Sequence, residues 1–477
     1  MAYEKLELLI DGEFRAGSQG VSEPVYNPAT GEVLAEVPHA SSDDLDKALA
    51  ANARVSKEWA QKTPLERQKV IEAAARNLEA RFDEIAENLT IEMGKPLAEA
   101  KIELQMGIDI ARWYGEEGKR VYGRLVASRI PGMTQSVIKS PVGPVIAFVA
   151  WNFPCVNVVR KVFGALAAGC PITIKPSEET PGTAIAIGRA LMDAGLPAGA
   201  LNIVFGKPAE VSEHLIKSPI PRKLSFTGSV PVGMHLQKLA ADNLIKCTME
   251  LGGHSPMMVF DDFDAEKAAE IAVGSKFRNA GQVCVSPTRI MVQESVQDKF
   301  VDSFVKRVEA MKVSSGLEDG VNMGPLVGER RLDVMDQFVN DATSNGAELL
   351  AGGNRLNKPG YFYAPTVLNN VPKSAMIMNE EPFGPVAPIF TFTDVDEVID
   401  EANRLEFGLA AYAFTHNPAI IEKLSNNVES GMLAINSIVV STPETPFGGI
   451  KHSGYGSEGG IEGLEAFLVT RFISEVH

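Results

Sequence analysis

The sequence predicts an α/β fold with a parallel sheet at its centre, and three features carry that prediction. From residue 143 short β-rich runs alternate with helical ones. A second alternating region opens at residue 256. The first 120 residues are mostly helical in spacing, with one hairpin signal at their start. Strand–helix alternation implies parallel pairing with right-handed crossovers, and such sheets bind ligands beyond the carboxyl ends of their strands.

Along the chain, Leu6–Phe14 alternates apolar and polar residues and turns at Asp11-Gly12, which predicts a hairpin. Asp43–Trp59 has helical spacing. The next helix is marked more sharply: Thr63 can cap it, Pro64 suits its first turn and Glu66 stands three after the cap. Its apolar positions Val70, Ala74, Leu78 and Ile85 keep helical spacing until Gly94 ends it. Pro96 opens another helix towards Gly118, and all of these helices read as scaffold without chemistry. Residues 121–140 are polar and loosely alternating, an exposed ribbon. Strands are expected at Val145–Val149, Ile172–Ile174, Asn202–Phe205, Lys223–Phe226 and Lys246–Met249, with helices at Pro154–Ala168, Pro181–Ala194 and Val230–Ala241 between them. Pro256–Phe260 and a helix from Asp264 to Arg278 begin the second region, which runs to about residue 440, and Phe467–Ser474 reads as a returning strand.

A length of 477 residues suggests about three structural units. Hydrophobic content of 45% with 22% charged residues is ordinary globular composition. A net charge of −16 argues against nucleic acid, whose phosphates need clustered Lys and Arg. The four cysteines, Cys155, Cys170, Cys247 and Cys284, form no CxxC pair and no metal-ligand spacing, so no metal is expected. The apolar run of MAYEKLELLIDGEF is broken by acidic residues, unlike a signal peptide, and no uncharged stretch nears the roughly 20 residues of a membrane helix. The expectation is a cytoplasmic protein that binds neither nucleic acid nor membrane.

The chemistry gathers at Phe277–Arg289, FRNAGQVCVSPTR, where Cys284 follows Gly281-Gln282 in a tight loop. Taken alone, a cysteine here reads first as a small buried hydrophobe. Met249-Glu250-Leu251-Gly252-Gly253 and Trp151-Asn152-Phe153-Pro154 change that reading. A glutamate, an asparagine and a glycine-flanked cysteine supply a water activator, an amide donor and a nucleophile, the minimum for covalent chemistry on a carbonyl.

Seven motifs then stand in order: WNFP at 151–154, IKPSEETP at 174–181, FTGS at 226–229, MELGG at 249–253, GQVC at 281–284, EPFGP at 381–385 and PFGG at 446–449. On these the chain resembles the aldehyde dehydrogenase superfamily over nearly its whole length. The resemblance implies an NAD-binding domain from 1–120 and 141–250, a catalytic domain over 251–440, and an oligomerisation segment from 121–140 and 455–477 that pairs subunits into a homodimer or homotetramer. It also supplies the cofactor. No G-x-G-x-x-G follows any strand, and Gly206 is trailed by Lys-Pro-Ala-Glu, so pattern alone leaves a nucleotide unproved.

Within that resemblance Cys284 is the nucleophile, and Asn152 with the Cys284 backbone N–H holds the developing oxyanion. Glu250 is the general base for hydrolysis; relatives that pass the acyl group to coenzyme A lack this glutamate. Lys175, counted with both the catalytic and the cofactor residues, can bond ribose hydroxyls. Glu178 can accept from the adenosine 2′-hydroxyl and repel a 2′-phosphate, which favours NAD over NADP; the adjacent Glu179 is an equal candidate to point inward. Gly228-Ser229 opens a helix suited to a pyrophosphate. Glu381 takes the nicotinamide ribose, Phe383 packs by the nicotinamide, and Trp151, Gly206 and Leu251 complete the cofactor cleft by resemblance.

Arg160 and Arg278 stand on elements that converge on Cys284, and their guanidinium groups suit a distal carboxylate. Succinate-semialdehyde dehydrogenases have arginines at both motif positions, and FRNAGQVC-SPTR with PFGG-K-SGYGSEGG resembles the α-ketoglutaric semialdehyde branch still more closely. Ser441 or Thr442 is placed to add a hydroxyl. The alternative for Arg160, followed by Lys161, is a solvated helix face or an interface salt bridge. The implied activity is NAD-dependent oxidation of a small carboxylate-bearing semialdehyde through a thioester; a broad-specificity aldehyde dehydrogenase and a non-catalytic structural protein on the same fold stand beside it. Cys170 and Cys247 read as core, Cys155 falls near the cleft without a base, and His254 reads as a turn residue. Val283 and Val285 flank Cys284, so no neighbouring thiol stands beside it.

Overall fold

The computed structural model describes residues 3–477. Near its start, strands Leu8–Ile10 and Glu13–Arg15 pair antiparallel across Asp11-Gly12, both in the left-handed region at φ 54° and 83°. That twist suits a two-residue hairpin turn.

The hairpin edges an eight-stranded sheet. Its five central strands, Leu201–Ile203, Ile172–Lys175, Val145–Phe148, Lys223–Thr227 and Lys246–Glu250, are parallel, and Gly454–Tyr455 closes the far edge antiparallel. Helices Pro154–Ala168, Pro181–Asp193 and Val230–Ala241 cross between them. Strands Leu201–Ile203, Ile172–Lys175 and Val145–Phe148 are buried along their whole length, and the last, VIAF, is apolar throughout, as a strand covered on both faces should be. A second, seven-stranded sheet begins with Glu348–Ala351, which pairs antiparallel with Thr366–Asn369. From Thr366–Asn369 onward every pairing is parallel, through Val386–Phe392, Pro287–Gln293, Ser255–Val259, Ala410–Phe414 and Met432–Ile435. Each sheet has its own buried apolar cluster.

A three-stranded antiparallel ribbon stands apart, formed by Arg124–Val126, Met133–Pro141 and Leu468–Val476. Leu125, Phe472 and Val476 are exposed on it. Only the last of the C-terminal residues join this ribbon. Tyr455 pairs with Met249, and Leu464 and Phe467 enter the core of the first sheet, so the ribbon's share begins at Leu468 rather than at 455.

The helix expected from Pro64 to Gly94 is two, Pro64–Ala80 and Phe82–Met93, broken where Arg81 turns to φ −112°, ψ 23° and its guanidinium reaches Glu4 and Glu84. Leu78 and Ile85 lie seven residues, about two turns, apart, so the apolar rhythm runs through the break unaltered. The capping box of Thr63 and Glu66 forms, and Gly94 ends the second helix at φ 92°. Among the described residues no helix is long and apolar enough to cross a membrane.

Candidate active site

The carboxyl ends of the parallel strands in the first sheet carry the motifs, because each motif follows its strand by a few residues. Val145–Phe148 leads to Trp151-Asn152, Lys223–Thr227 to Gly228-Ser229, and Lys246–Glu250 ends on Glu250. They face a cavity of about 470 Å³ whose other wall carries Cys284, Arg278, Glu381 and Phe383. A second cleft of about 740 Å³ is lined by the residues just before them, Phe148-Val149 and Phe226, together with Lys175 and Glu178.

Cys284 hangs from an unusual backbone. Asn279, Ala280 and Gly281 are all left-handed, at φ 48°, 53° and 73°. Two non-glycine residues there cost about 1–3 kcal/mol each. Side chains hold the loop in that shape. Glu99 accepts the Asn279 N–H at 2.8 Å, Asn279 Nδ2 donates to the Asn152 carbonyl at 3.0 Å, and Gln282 Nε2 donates to the Asn279 carbonyl at 3.0 Å. Gly281 must be glycine for a second reason: a Cβ would meet the Gly384 carbonyl oxygen at 2.1 Å. The half-buried Cys284 thiol is pushed up to about 12 by burial and by the carboxylates of Glu381 and Glu250, while Arg160 and Arg278 pull it down.

Asn152 is buried against this loop, its Nδ2 donating to the Gln282 carbonyl at 3.2 Å, which leaves its second amide hydrogen for the cavity. Glu250 is buried too, and neither carboxylate oxygen has a hydrogen-bond partner among the described residues. Burial lifts its carboxyl far above the usual range, Glu458 adds to the rise, and Lys161 and Arg160 oppose it. Lys161 itself ion-pairs with Glu458 and donates to Thr227 Oγ1 at 2.6 Å.

In the second cleft Lys175 Nζ lies 2.6 Å from the carboxylate of Glu178, which also accepts the Gly206 N–H at 2.9 Å. Of the adjacent pair, Glu178 is therefore the inward residue, and Glu179 turns to the exposed Arg330 at 3.7 Å. Ser229 precedes helix Val230–Ala241, and its side chain caps none of that helix's N–H groups among the described residues. Leu251 is held by its N–H on the Ser453 carbonyl at 3.0 Å and packs where a Gly233 Cβ would lie 2.4 Å away. Glu381 accepts the Gly253 N–H at 3.2 Å, and burial raises its carboxyl to about 7. Phe383, at φ 45°, sets its ring edge-on to Trp151 at 5.5 Å. Arg331, which the sequence did not single out, fixes that turn by donating to the Pro382 and Phe383 carbonyls.

Arg160 is 5% exposed. Its Nη2 donates to Ser441 Oγ at 2.6 Å and its guanidinium lies 4.1 Å over the Phe447 ring, while Nε has no partner among the described residues. With Lys161 wholly buried as well, this is no solvated helix face. Arg278 lines the same cavity 5.5 Å from the centre of the Phe153 ring. Thr442 bonds Thr445 instead, so Ser441 is the hydroxyl beside the arginine.

Two minor expectations are corrected. His254 is a buried strut, not a turn residue: it bonds Thr288 Oγ1 at 2.7 Å and the Ile377 carbonyl at 3.1 Å. Cys155 lies between helices rather than near the cleft, its sulfur 2.5 Å from where a Gly107 Cβ would stand.

The aldehyde dehydrogenase family model matches residues 14–473. The chain is 45% identical to the 4-(hydroxymethyl)benzenesulfonate dehydrogenase of Comamonas testosteroni, over 99% of each protein. It is 39% identical to the NADP(+) succinate-semialdehyde dehydrogenase of Escherichia coli (strain K12), over 98% of this chain and 97% of that one. The solved structure of succinate-semialdehyde dehydrogenase from Burkholderia pseudomallei superposes with a TM-score of 0.98 at 39% identity, covering 99% of this chain and 98% of that one. The family acts on small aldehydes with NAD(P), and this chain, an enzyme of the oxidoreductase class, belongs to the aldehyde dehydrogenase family.

Proposed function

We propose that the protein oxidises a carboxylate-bearing semialdehyde, α-ketoglutaric or succinic semialdehyde, to the dicarboxylate with NAD. The observation that carries this reading is Arg160, buried in the wall of the Cys284 cavity with one nitrogen unpartnered among the described residues. A guanidinium out of water is costly unless an anion meets it, and a distal carboxylate between Arg160, Ser441 and Arg278 is that anion.

The chemistry follows from the groups around the cavity. The Cys284 thiol gives up its proton to solvent, and the sulfur adds to the aldehyde carbon as the carbonyl electron pair moves onto oxygen. Asn152 Nδ2 and the Cys284 N–H donate to that oxyanion. A bound NAD supplies the acceptor for the hydride that leaves the same carbon. Glu250 then draws a proton from water as the water oxygen attacks the thioester, and the sulfur departs with its electron pair, freeing the acid. Burial raises Glu250 towards the basicity this task needs near neutral pH.

The residues fit the cofactor. The inward carboxylate of Glu178, braced by Lys175 and the Gly206 N–H, suits a ribose hydroxyl and opposes a 2′-phosphate, which supports NAD over NADP. The uncapped helix start at Ser229 suits a pyrophosphate, and Glu381 suits the second ribose. The exposed apolar ribbon supports pairing of copies into a dimer or tetramer.

A second reading has its own support: the relative named for 4-(hydroxymethyl)benzenesulfonate has a name that carries a sulfonate, which a two-arginine site would also hold. One kinetic panel tests both, comparing succinic and α-ketoglutaric semialdehydes, a sulfonated aldehyde and a neutral aldehyde, each with NAD and NADP. An acidic semialdehyde with NAD should give the highest kcat/KM. Equal values on the neutral aldehyde would remove the anion site from the reading.

A further inference from the structure

We infer that Lys95 and Glu103 are positioning residues that hold Asn152 in its place beside Cys284. The inference rests on the proposed role of Asn152 as oxyanion donor. Glu99 and Glu103 stand four residues apart on one face of helix Leu97–Glu117, and Lys95 lies in the connection two residues before that helix starts. Lys95 and Glu103 meet the segment Asn152–Cys155, and Glu99 meets Asn279.

Glu103 and Lys95 are each only 1% exposed at the side chain and form an ion pair. One Glu103 oxygen accepts the Cys155 N–H at 2.9 Å, in the first turn of helix Pro154–Ala168. A helix start needs such acceptors, and the apolar side chain of Phe153, just before it, offers none. Lys95 Nζ, besides binding Glu103, donates to the Asn152 carbonyl at 2.9 Å and sits 4.0 Å over the Phe153 ring. The pair therefore grips the segment at both ends. Its third member, Glu99, takes the Asn279 N–H, and Asn279 Nδ2 donates to the same Asn152 carbonyl that Lys95 holds. One carbonyl oxygen thus joins the amide donor, the cysteine loop and the helix.

Stability alone gives weak reason for such a pair, since buried ion pairs are often matched or bettered by apolar packing. Geometry gives a stronger one. A shift of about 1 Å in a group that meets a transition state costs on the order of a hundredfold in rate. Lys95 borders the cavity, but its ammonium is taken up by Glu103, the Asn152 carbonyl and the Phe153 ring, so its effect passes through Asn152.

The test is a double-mutant cycle on Lys95→Met, Lys95→Arg, Glu103→Gln and Asn152→Ala, with thermal melting to check folding. Asn152→Ala alone examines the oxyanion role: unaltered turnover would overturn that role, whatever the lysine does. Given a slow Asn152→Ala, Lys95→Met should lower kcat about tenfold or more in the wild type, leave the KM for NAD unchanged, and cost little further in the Asn152→Ala background. Alkylation of Cys284 by iodoacetamide, which builds no oxyanion, should keep its rate. Lys95→Arg should recover part of the loss. Should Lys95→Met fail to fold, Glu103→Gln takes its place in the cycle. Equal losses in both backgrounds, or an equal loss of alkylation rate, would overturn the inference.

Discussion

Arg160 Nη2 donates to Ser441 Oγ at 2.6 Å, joining two residues 281 positions apart in the wall of one cavity. The bond orients a buried guanidinium without neutralising it, because a hydroxyl carries no charge. On the proposed function, a substrate anion completes what the serine begins.

Arg160→Ala should therefore raise the KM for an acidic semialdehyde about ten- to a hundredfold, the worth of one charge-assisted hydrogen bond, and change that for a neutral aldehyde little. Ser441→Ala should act in the same direction but more weakly. Steady-state kinetics on the matched pair of substrates checks both.

Cys284→Ser should lower aldehyde oxidation by at least about a thousandfold while the protein still binds NAD, since a serine hydroxyl ionises far less readily than a thiol. Fluorescence titration with NADH alongside activity separates chemistry from folding.

Glu250→Gln should leave the first release of NADH and stop turnover, giving a burst of about one equivalent per site followed by a slow phase. The pH dependence has a definite sign. The carboxylate is the active form and burial raises its proton affinity, so rate climbs with pH at values where an ordinary carboxylate would already be fully ionised. Stopped-flow traces across pH should show that climb in the wild type and its absence from the variant.

Glu178→Gln should weaken NAD about tenfold and improve the use of NADP, because the variant keeps a hydrogen-bonding group and loses the charge that opposes a 2′-phosphate. Ratios of kcat/KM for the two cofactors measure it.

Phe472 is 62% exposed on the ribbon strand Leu468–Val476. Phe472→Glu should shift the proposed assembly towards monomers in sedimentation velocity without lowering the stability of the isolated subunit by more than about 1 kcal/mol.

Much of this was legible in the sequence because the motifs sit just past strand ends, where a parallel sheet must place its ligands. Cys284, Glu250 and Asn152 are each local to a strand or loop whose type the pattern shows. What stayed hidden depends on distance along the chain. Lys95 and Glu103 lie just before and on a helix that looked like scaffold, and their partners stand 57 and 52 residues away at Asn152 and Cys155; charges around a helix start do not announce what they will meet. Glu178 and Glu179 differ by one position, and only the fold decides which faces in. His254 follows two glycines, a turn signal, yet tertiary packing buries it.

The contact of Gly281 with Gly384 has a consequence for how such an enzyme can diverge. Two main chains touch there with no room for a methyl group, so the Cys284 loop and the turn bearing Phe383 move, or mutate, only together. A substitution on either side of that contact then calls for a compensating change on the other.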